Sequence, residues 1–339
     1  MSNKIIDAYN FMVAPAKTKW RSEFDAGDKG GYCPMDCINC PAYTVVCDGC
    51  DLKCLDINCR GYDCYRCPFL CHRGGKRLNE ALNAIGGLEI DKTPTIDTYF
   101  DIENRYIPAY NKSPHKSFNY PIISIPFYAI YDFVNQKPLC TDVHEYLKIP
   151  LSTKIIINFY FKDDKIMMLF DYMMDGKFID LLRHYKGVSY WHTPCFSVYR
   201  ISSSMDCVLN FKRQFWIGDI MRDAGFNTIQ EVLYSTQKEY IKASPSVALD
   251  VIVSKGIKKI SQCAQLNFFP DETLLAEMGF IRKLPKEIAW ILTGVNNKVM
   301  DSYLSLRKNM YFANYAPGYR YDKTPMEYIN ETNNNLKEV

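Results

Sequence analysis

From about residue 119 onward, apolar residues come in short runs separated by stretches with helical spacing. IISIP (122–126), KIIINFYF (154–161), GVSYW (187–191), FNTIQEVLY (226–234), IKKISQCAQ (257–265) and EIAWILTG (287–294) have the length and composition of strands. Between them, DKIMMLFDYMMDGKFIDLLRHY (164–185) places apolar residues three and four apart, with Gly176 positioned to split it. The stretch 203–225 opens on serines suited to an N-cap and ends at Gly225. Further helices are predicted over 244–256, 270–280 and 295–312. Strands alternating with helices predict parallel pairing through right-handed crossovers. Six such units suggest an α/β domain over 119–312, a compact or incomplete parallel (β/α) barrel; an open doubly wound sheet is the alternative.

The flanks look different. Residues 1–32 form an N-terminal segment with no long apolar run. Residues 73–87 read as a helix, with Leu78, Leu82 and Ile85 in register and Gly86-Gly87 as its stop, followed by an irregular connector to 118. Residues 313–339 read as a polar, loosely ordered tail. The formal charge of +3 argues against a molecule dominated by a phosphate-binding surface, but Arg73, Lys76 and Arg77 still make a local basic cluster. That cluster reads either as a solvated helix start or as an anion or nucleic-acid contact. No stretch approaches the ~18 to 20 apolar residues of a membrane helix. The expectation is a cytoplasmic protein with no membrane partner, in which structural disulfides are disfavoured.

That expectation matters for the segment 33–72, which carries ten of the chain's 14 cysteines. Cys33, Cys37 and Cys40 form CxxxCxxC; Cys47, Cys50 and Cys54 form CxxCxxxC; Cys59 stands alone; Cys64, Cys67 and Cys71 repeat CxxCxxxC and are followed by His72. Two or three intervening residues let successive thiolates turn back onto one metal centre. The segment has too few large apolar side chains to bury a core, so a sulfur-bound metal would have to hold it together. CxxC pairs suit zinc, and the Cys-Pro steps at Cys40 and Cys67 suit an iron–sulfur cluster; the choice is nearly even. Cys140, Cys195, Cys207 and Cys263 are isolated and read as small buried hydrophobes.

The run CPMDCINCPAY…CDGC resembles a module of an uncharacterised bacterial and archaeal family, through Cys33, Cys37, Cys40, Pro41, Ala42, Tyr43, Cys47, Gly49 and Cys50. The resemblance covers about 40 residues and implies a metal-bound module without a known reaction. CxxxCxxC is also similar to the radical S-adenosylmethionine signature, in which three thiolates hold a [4Fe–4S] cluster. Here Asn39 replaces the usual aromatic residue, and Leu88 separates Gly86-Gly87 from Glu89. A second stretch, FIDLLRHYKGVSYWHTPCFSVYR and its continuation to Thr236, resembles an uncharacterised domain family common in phages, plasmids and anaerobic bacteria. The matching positions are Gly187, Val188, Ser197, Tyr199, Asn210, Arg213, Gly218, Gly225 and Asn227. That family usually has Pro-Asp before Ser-x-Tyr, whereas this chain has Pro194-Cys195-Phe196. The resemblance implies a mobile-element context and leaves the function open.

In parallel α/β domains ligands bind beyond the C-terminal strand ends. This places His192, Tyr199, Glu231 and Gln262 as candidate catalytic residues on one face, with Asn210 and Arg213 as candidate substrate-binding residues. Each has an ordinary alternative: a satisfied loop histidine, a solvated strand-end carboxylate, a helix-anchoring arginine. No Walker loop, dinucleotide fingerprint, HExxH or GxSxG is present, so nucleotide hydrolysis, NAD chemistry, zincin proteolysis and serine hydrolysis lack support. The resulting expectation is a metal-cluster (β/α)-barrel protein acting on or near nucleic acid or nucleotides. A radical S-adenosylmethionine enzyme using Cys33, Cys37 and Cys40 and a non-catalytic binding factor are the alternatives.

Overall fold

The structure is a computed structural model that describes residues 85–86, 90–110, 120–161, 163–196, 198, 204–234, 243–263, 279–294, 300, 303–304, 307–315 and 325–338. The chain divides into two compact units: residues 1–89 with 198–210 and 237–244, and residues 90–197 with 211–236 and 245–339. The second unit contains the barrel. The metal-ligand candidates Cys33 to His72, the basic cluster at 73–77 and Tyr199 lie outside the described residues.

In chain order the elements are β1 (Tyr106–Ala109), β2 (Ile122–Pro126), β3 (Tyr131–Asp132), β4 (Lys137–Pro138), α1 (Val143–Leu147), β5 (Lys154–Asn158), α2 (Asp163–Met174), α3 (Phe178–Arg183), β6 (Tyr190–His192), α4 (Ser204–Asp223), β7 (Thr228–Glu231), α5 (Pro245–Lys255), β8 (Lys259–Cys263), β9 (Ala289–Thr293), β10 (Met310–Tyr315) and α6 (Pro325–Glu338). Eight of the strands close into a parallel barrel, in the order β1-β10-β9-β8-β7-β6-β5-β2, with β1 paired back to β2. Its strands are buried on both faces, as in β2 and β5, because helices cover the outside while side chains fill the inside. A short antiparallel pair, β3 and β4, is inserted between β2 and α1. As the sequence indicated, the long pattern 164–185 breaks at Gly176, whose φ of +72° suits a residue without Cβ.

The expected α/β barrel is therefore present, but it is complete rather than incomplete. Two strands that the apolar pattern did not show close it. One is β1, inside the stretch read as connector; its YIPA sequence carries a proline, which lowers its strand signal. The other is β10, which begins inside the predicted helix 295–312 and runs into the stretch read as tail. The register Tyr106↔Phe312 through Ala109↔Tyr315 joins the two. The polar tail is also corrected. Residues 325–338 form α6, whose buried Ile329, Asn333 and Leu336 fall at i, i+4 and i+7. Asn333 accepts the Tyr106 N–H at 2.9 Å, and Arg105 donates to the Leu336 carbonyl at 3.2 Å, so hydrogen bonds tie this helix to β1 and the residue before it.

The N-terminal end of the barrel is plugged by residues 97–101. Lys259, at the start of β8, meets Asp97 Oδ1 at 2.6 Å, with both side chains almost fully buried. The Lys258 N–H donates to the other Asp97 oxygen at 2.8 Å. Phe100 packs against Tyr190 and Tyr311 at 5.0 and 4.8 Å between ring centroids.

Candidate functional site

Strand alternation sends every second residue inward. At the C-terminal ends this brings Ser124 (β2), Asn158 (β5), His192 (β6), Glu231 (β7), Ser261 and Cys263 (β8) and Thr293 (β9) to the interior face. Asn158 donates to Ser124 at 2.9 Å across β2 and β5. The centre of the group is Glu231, which is fully buried. Its Oε2 accepts from the Tyr160 hydroxyl and from the Ser261 hydroxyl, each at 2.6 Å. Its Oε1 accepts the Cys263 N–H at 3.2 Å, and the Cys195 thiol also donates to the carboxylate. The Glu231 N–H is held by Thr193 Oγ1 at 2.8 Å, which fixes the strand end from which the side chain projects.

These contacts set the protonation states. Burial pushes the Glu231 carboxyl up to about 7, and the donors from Ser261, Tyr160 and the Cys263 backbone keep it from rising further. Burial and the adjacent Glu231 carboxylate hold the Tyr160 phenol well above its ordinary range, so it stays a neutral donor. Burial drives His192 down to about 3, so it is a neutral imidazole at physiological pH. The His192 ring meets Tyr160 edge-on, with centroids 5.4 Å apart. Among the described residues neither His192 ring nitrogen has a hydrogen-bond partner, and neither does Thr293 Oγ1. The mouth thus holds a carboxyl poised near neutrality beside neutral groups with unspent hydrogen-bonding capacity, which is the arrangement proton transfer requires. Among the described residues no group of three or more His, Cys, Asp or Glu is arranged to hold a metal ion.

Of the residues singled out in the sequence, the structure brings His192 and Glu231 together through Tyr160. Gln262 is buried, but alternation places it on the face of β8 opposite Ser261 and away from Glu231. Arg213 is also buried: its guanidinium lies over Phe170 at 4.2 Å and near Phe196 at 5.5 Å, and its Nη1 meets Met167 Sδ at 3.6 Å. It sits in an aromatic slot formed by α2 and the segment after β6. Asn210 is half-buried in α4 and falls in the first unit.

Tyr160, Ser261, Thr193, Cys195 and Cys263 were missed. One signal was available: in KISQC the residues 259, 261 and 263 share a face, so selecting Ser261 excludes Gln262. The outer face of β7 explains Gly218. A Cβ there would meet Gln230 Oε1 at 2.1 Å, and Gln230 is held by Arg222 (3.2 Å) and by the Gln214 carbonyl (2.7 Å). The glycine lets α4 lie close enough to β7 for Gln230 to bond both partners.

No family model matches the sequence, and no curated protein does. Among solved structures, one titled "Native KDPGal structure" is similar at 11% identity and a TM-score of 0.35, covering 71% of this chain and 100% of that one. A cube-shaped, porous protein cage designed by fusing symmetric oligomeric domains is similar at 10% identity and a TM-score of 0.33, covering 70% of this chain and 74% of that one. Both scores are too low to transfer a function. No helix among the described residues is long and apolar enough to cross a membrane.

Proposed function

We propose that the barrel is an enzyme that moves a proton on a small organic substrate bound at its C-terminal mouth, with Glu231 as the group that takes and returns the proton. One observation carries this reading: a fully buried carboxyl held near pH 7 and oriented by Tyr160 and Ser261, at the end of the barrel where parallel α/β folds place their chemistry. The ionised form accepts a proton with Tyr160 and Ser261 stabilising the charge; the protonated form gives it back. His192, kept neutral, offers a hydrogen bond to the substrate without adding charge. The test is a panel of small carbonyl compounds and nucleosides incubated with the protein in heavy water. Incorporation of deuterium by at least one of them, detected by NMR and slowed about 100- to 10,000-fold in Glu231→Gln, is the expected result. No exchange across the panel, or an unchanged rate in the variant, refutes the reading.

A metal centre in 33–72 is the second part of the proposal, supported by the spacing of its ten cysteines and by His72. Thiolate donors fit zinc and an iron–sulfur cluster alike, and either would stabilise a sequence with few large apolar side chains. Arg73, Lys76 and Arg77 support a nucleotide or nucleic-acid contact beside it. Anaerobic purification with metal analysis tests this part. Broad absorption near ~400 nm, bleached by dithionite, identifies the cluster. A colourless protein with stoichiometric zinc identifies the alternative, and a metal-free protein refutes both.

A further inference from the structure

The Glu231 cluster contains a thiol that proton transfer alone does not use. Cys195 follows β6 by three residues, and its S–H donates to the Glu231 carboxylate. Cys263, two residues beyond Ser261, donates to the same carboxylate through its backbone N–H. Neither cysteine is in a disulfide. Glu231 and Ser261 are almost completely enclosed, whereas Cys195 retains 8% of its surface. Cys263 keeps a similar 9%, but it meets Glu231 through its backbone, so Cys195 is the cysteine whose thiol itself faces the carboxylate. Two side chains at the same end of the barrel, each more than nine-tenths buried, have capacity to spare among the described residues: both ring nitrogens of His192, which packs against Tyr160, and Thr293 Oγ1, whose residue pairs in register with Cys263. A buried donor without a partner costs about 1 to 3 kcal/mol, so two of them in one mouth point to a ligand atom that satisfies them.

We propose that Cys195 is a covalent nucleophile for a small aldehyde or ketone, with Glu231 taking the thiol proton. The inference rests on the reading of the C-terminal mouth as the reaction chamber. The sulfur forms a bond to the carbonyl carbon while the S–H proton passes to a Glu231 oxygen. The π pair of the C=O bond moves onto the oxygen, which accepts hydrogen bonds from the neutral His192 ring N–H and from Thr293 Oγ–H. Glu231 then returns the proton to that oxygen, giving a neutral thiohemiacetal. Nothing is oxidised or reduced, no group leaves, and no co-reactant is needed.

The chemistry can be read without knowing the natural substrate. Iodoacetamide alkylation of the full-length protein is followed peptide by peptide in mass spectra. Cys140 serves as the internal standard because burial and Asp142 push its thiol up to about 11. At pH ~7.5 Cys195 is expected to react about 100-fold faster than Cys140, and Glu231→Gln is expected to abolish that advantage. Tyr160→Phe is the gentler change and guards against a Gln variant that does not fold. It removes one donor to the carboxylate, so the pH of half-maximal labelling should move upward. Saturating glycolaldehyde should slow labelling of Cys195 in the wild type and leave Cys140 unaffected. The inference is overturned if Cys195 reacts no faster than Cys140, if neither variant changes its labelling, or if glycolaldehyde gives no protection. Cys195→Ser separates it from the reading beneath it. Deuterium exchange that survives Cys195→Ser and is lost in Glu231→Gln leaves Glu231 as the proton carrier and removes the covalent step; loss in both supports the two together.

Discussion

The two ends of the barrel treat buried polar groups in opposite ways. At the N-terminal end, Lys259 and Asp97 form an ion pair with both side chains buried, and the aspartate is saturated: one oxygen meets the Lys259 ammonium at 2.6 Å and the other accepts the Lys258 N–H at 2.8 Å. The ammonium also donates to the Thr98 carbonyl and, at 3.1 Å, to its hydroxyl. At the C-terminal end the described residues include no such ion pair. Glu231 is hydrogen-bonded but sits near its titration point, and His192 keeps both ring nitrogens without a partner among the described residues. The first end pairs its buried charges with each other. The second holds groups in states that are costly without a ligand, which is how a site for chemistry differs from a plug.

The largest effect should come from breaking the plug. Asp97→Ala leaves the Lys259 ammonium buried without its counter-charge and should cost about 3 to 5 kcal/mol in urea unfolding. The double change Asp97→Leu, Lys259→Met removes both charges together and should recover most of that loss. A single variant as stable as wild type would show that the pair does not hold the N-terminal end closed.

The mouth should reveal itself through pH. The folded-state value of Glu231 is raised to about 7 from an ordinary 4.5, so between these values the folded protein binds the proton more tightly than the unfolded chain. Stability from this group is therefore full below pH ~4.5 and is lost as pH rises through 7, by about 3 kcal/mol in total. Glu231→Gln should lack that slope, which paired denaturation curves at pH 5 and 8 would detect. Parallel slopes in the two proteins would place the Glu231 titration outside this range.

Gly218→Ala probes the wall between α4 and β7, next to the mouth. Its methyl group would displace Gln230, whose amide bridges Arg222 and the Gln214 carbonyl, at a cost of about 1 to 3 kcal/mol. Because Glu231 follows Gln230 directly, the same variant should slow any Glu231-dependent deuterium exchange. A stable variant with wild-type exchange would show that the Gln230 bridge does not position the carboxylate.

How far the sequence revealed this arrangement depends on which signal each part leaves. The six strands with long apolar runs were legible because parallel strands buried on both faces need continuous apolar residues. β1 was not, because Pro108 interrupts a four-residue run, and β10 was not, because its MYFANY follows a helical pattern without a clear break. α6 is rich in Asn and Glu and docks in part through Asn333, so its sequence reads as polar. At the site, strand-end position was enough to select His192 and Glu231. Selecting Gln262 over Ser261 was an error of one residue in parity, which reverses the face. Tyr160 lies two residues past its strand, and Cys195 on a segment with no period; their meeting at Glu231 is a product of barrel closure and has no local signature.

The smallest expected stability effect has the sign that separates the two ends most clearly. His192 contributes a buried imidazole with no partner among the described residues, so His192→Phe removes a desolvated polar group and keeps an aromatic ring against Tyr160. At pH ~7.5 the variant should be more stable than wild type by about 1 kcal/mol. Its advantage should grow in acid. The folded-state value of His192 is lowered to about 3 from an ordinary 6.5, so the stability linked to the wild-type ring is present above 6.5 and lost as pH falls toward 3, a loss the phenylalanine cannot show. Thermal unfolding of both proteins at pH 7.5 and 5 measures the effect. Stabilisation together with lost deuterium exchange would mean that the protein keeps His192 at a cost because the reaction uses it. A destabilised variant would mean that the ring has a partner in the folded protein and belongs with Asp97 and Lys259 among the groups that hold the barrel together.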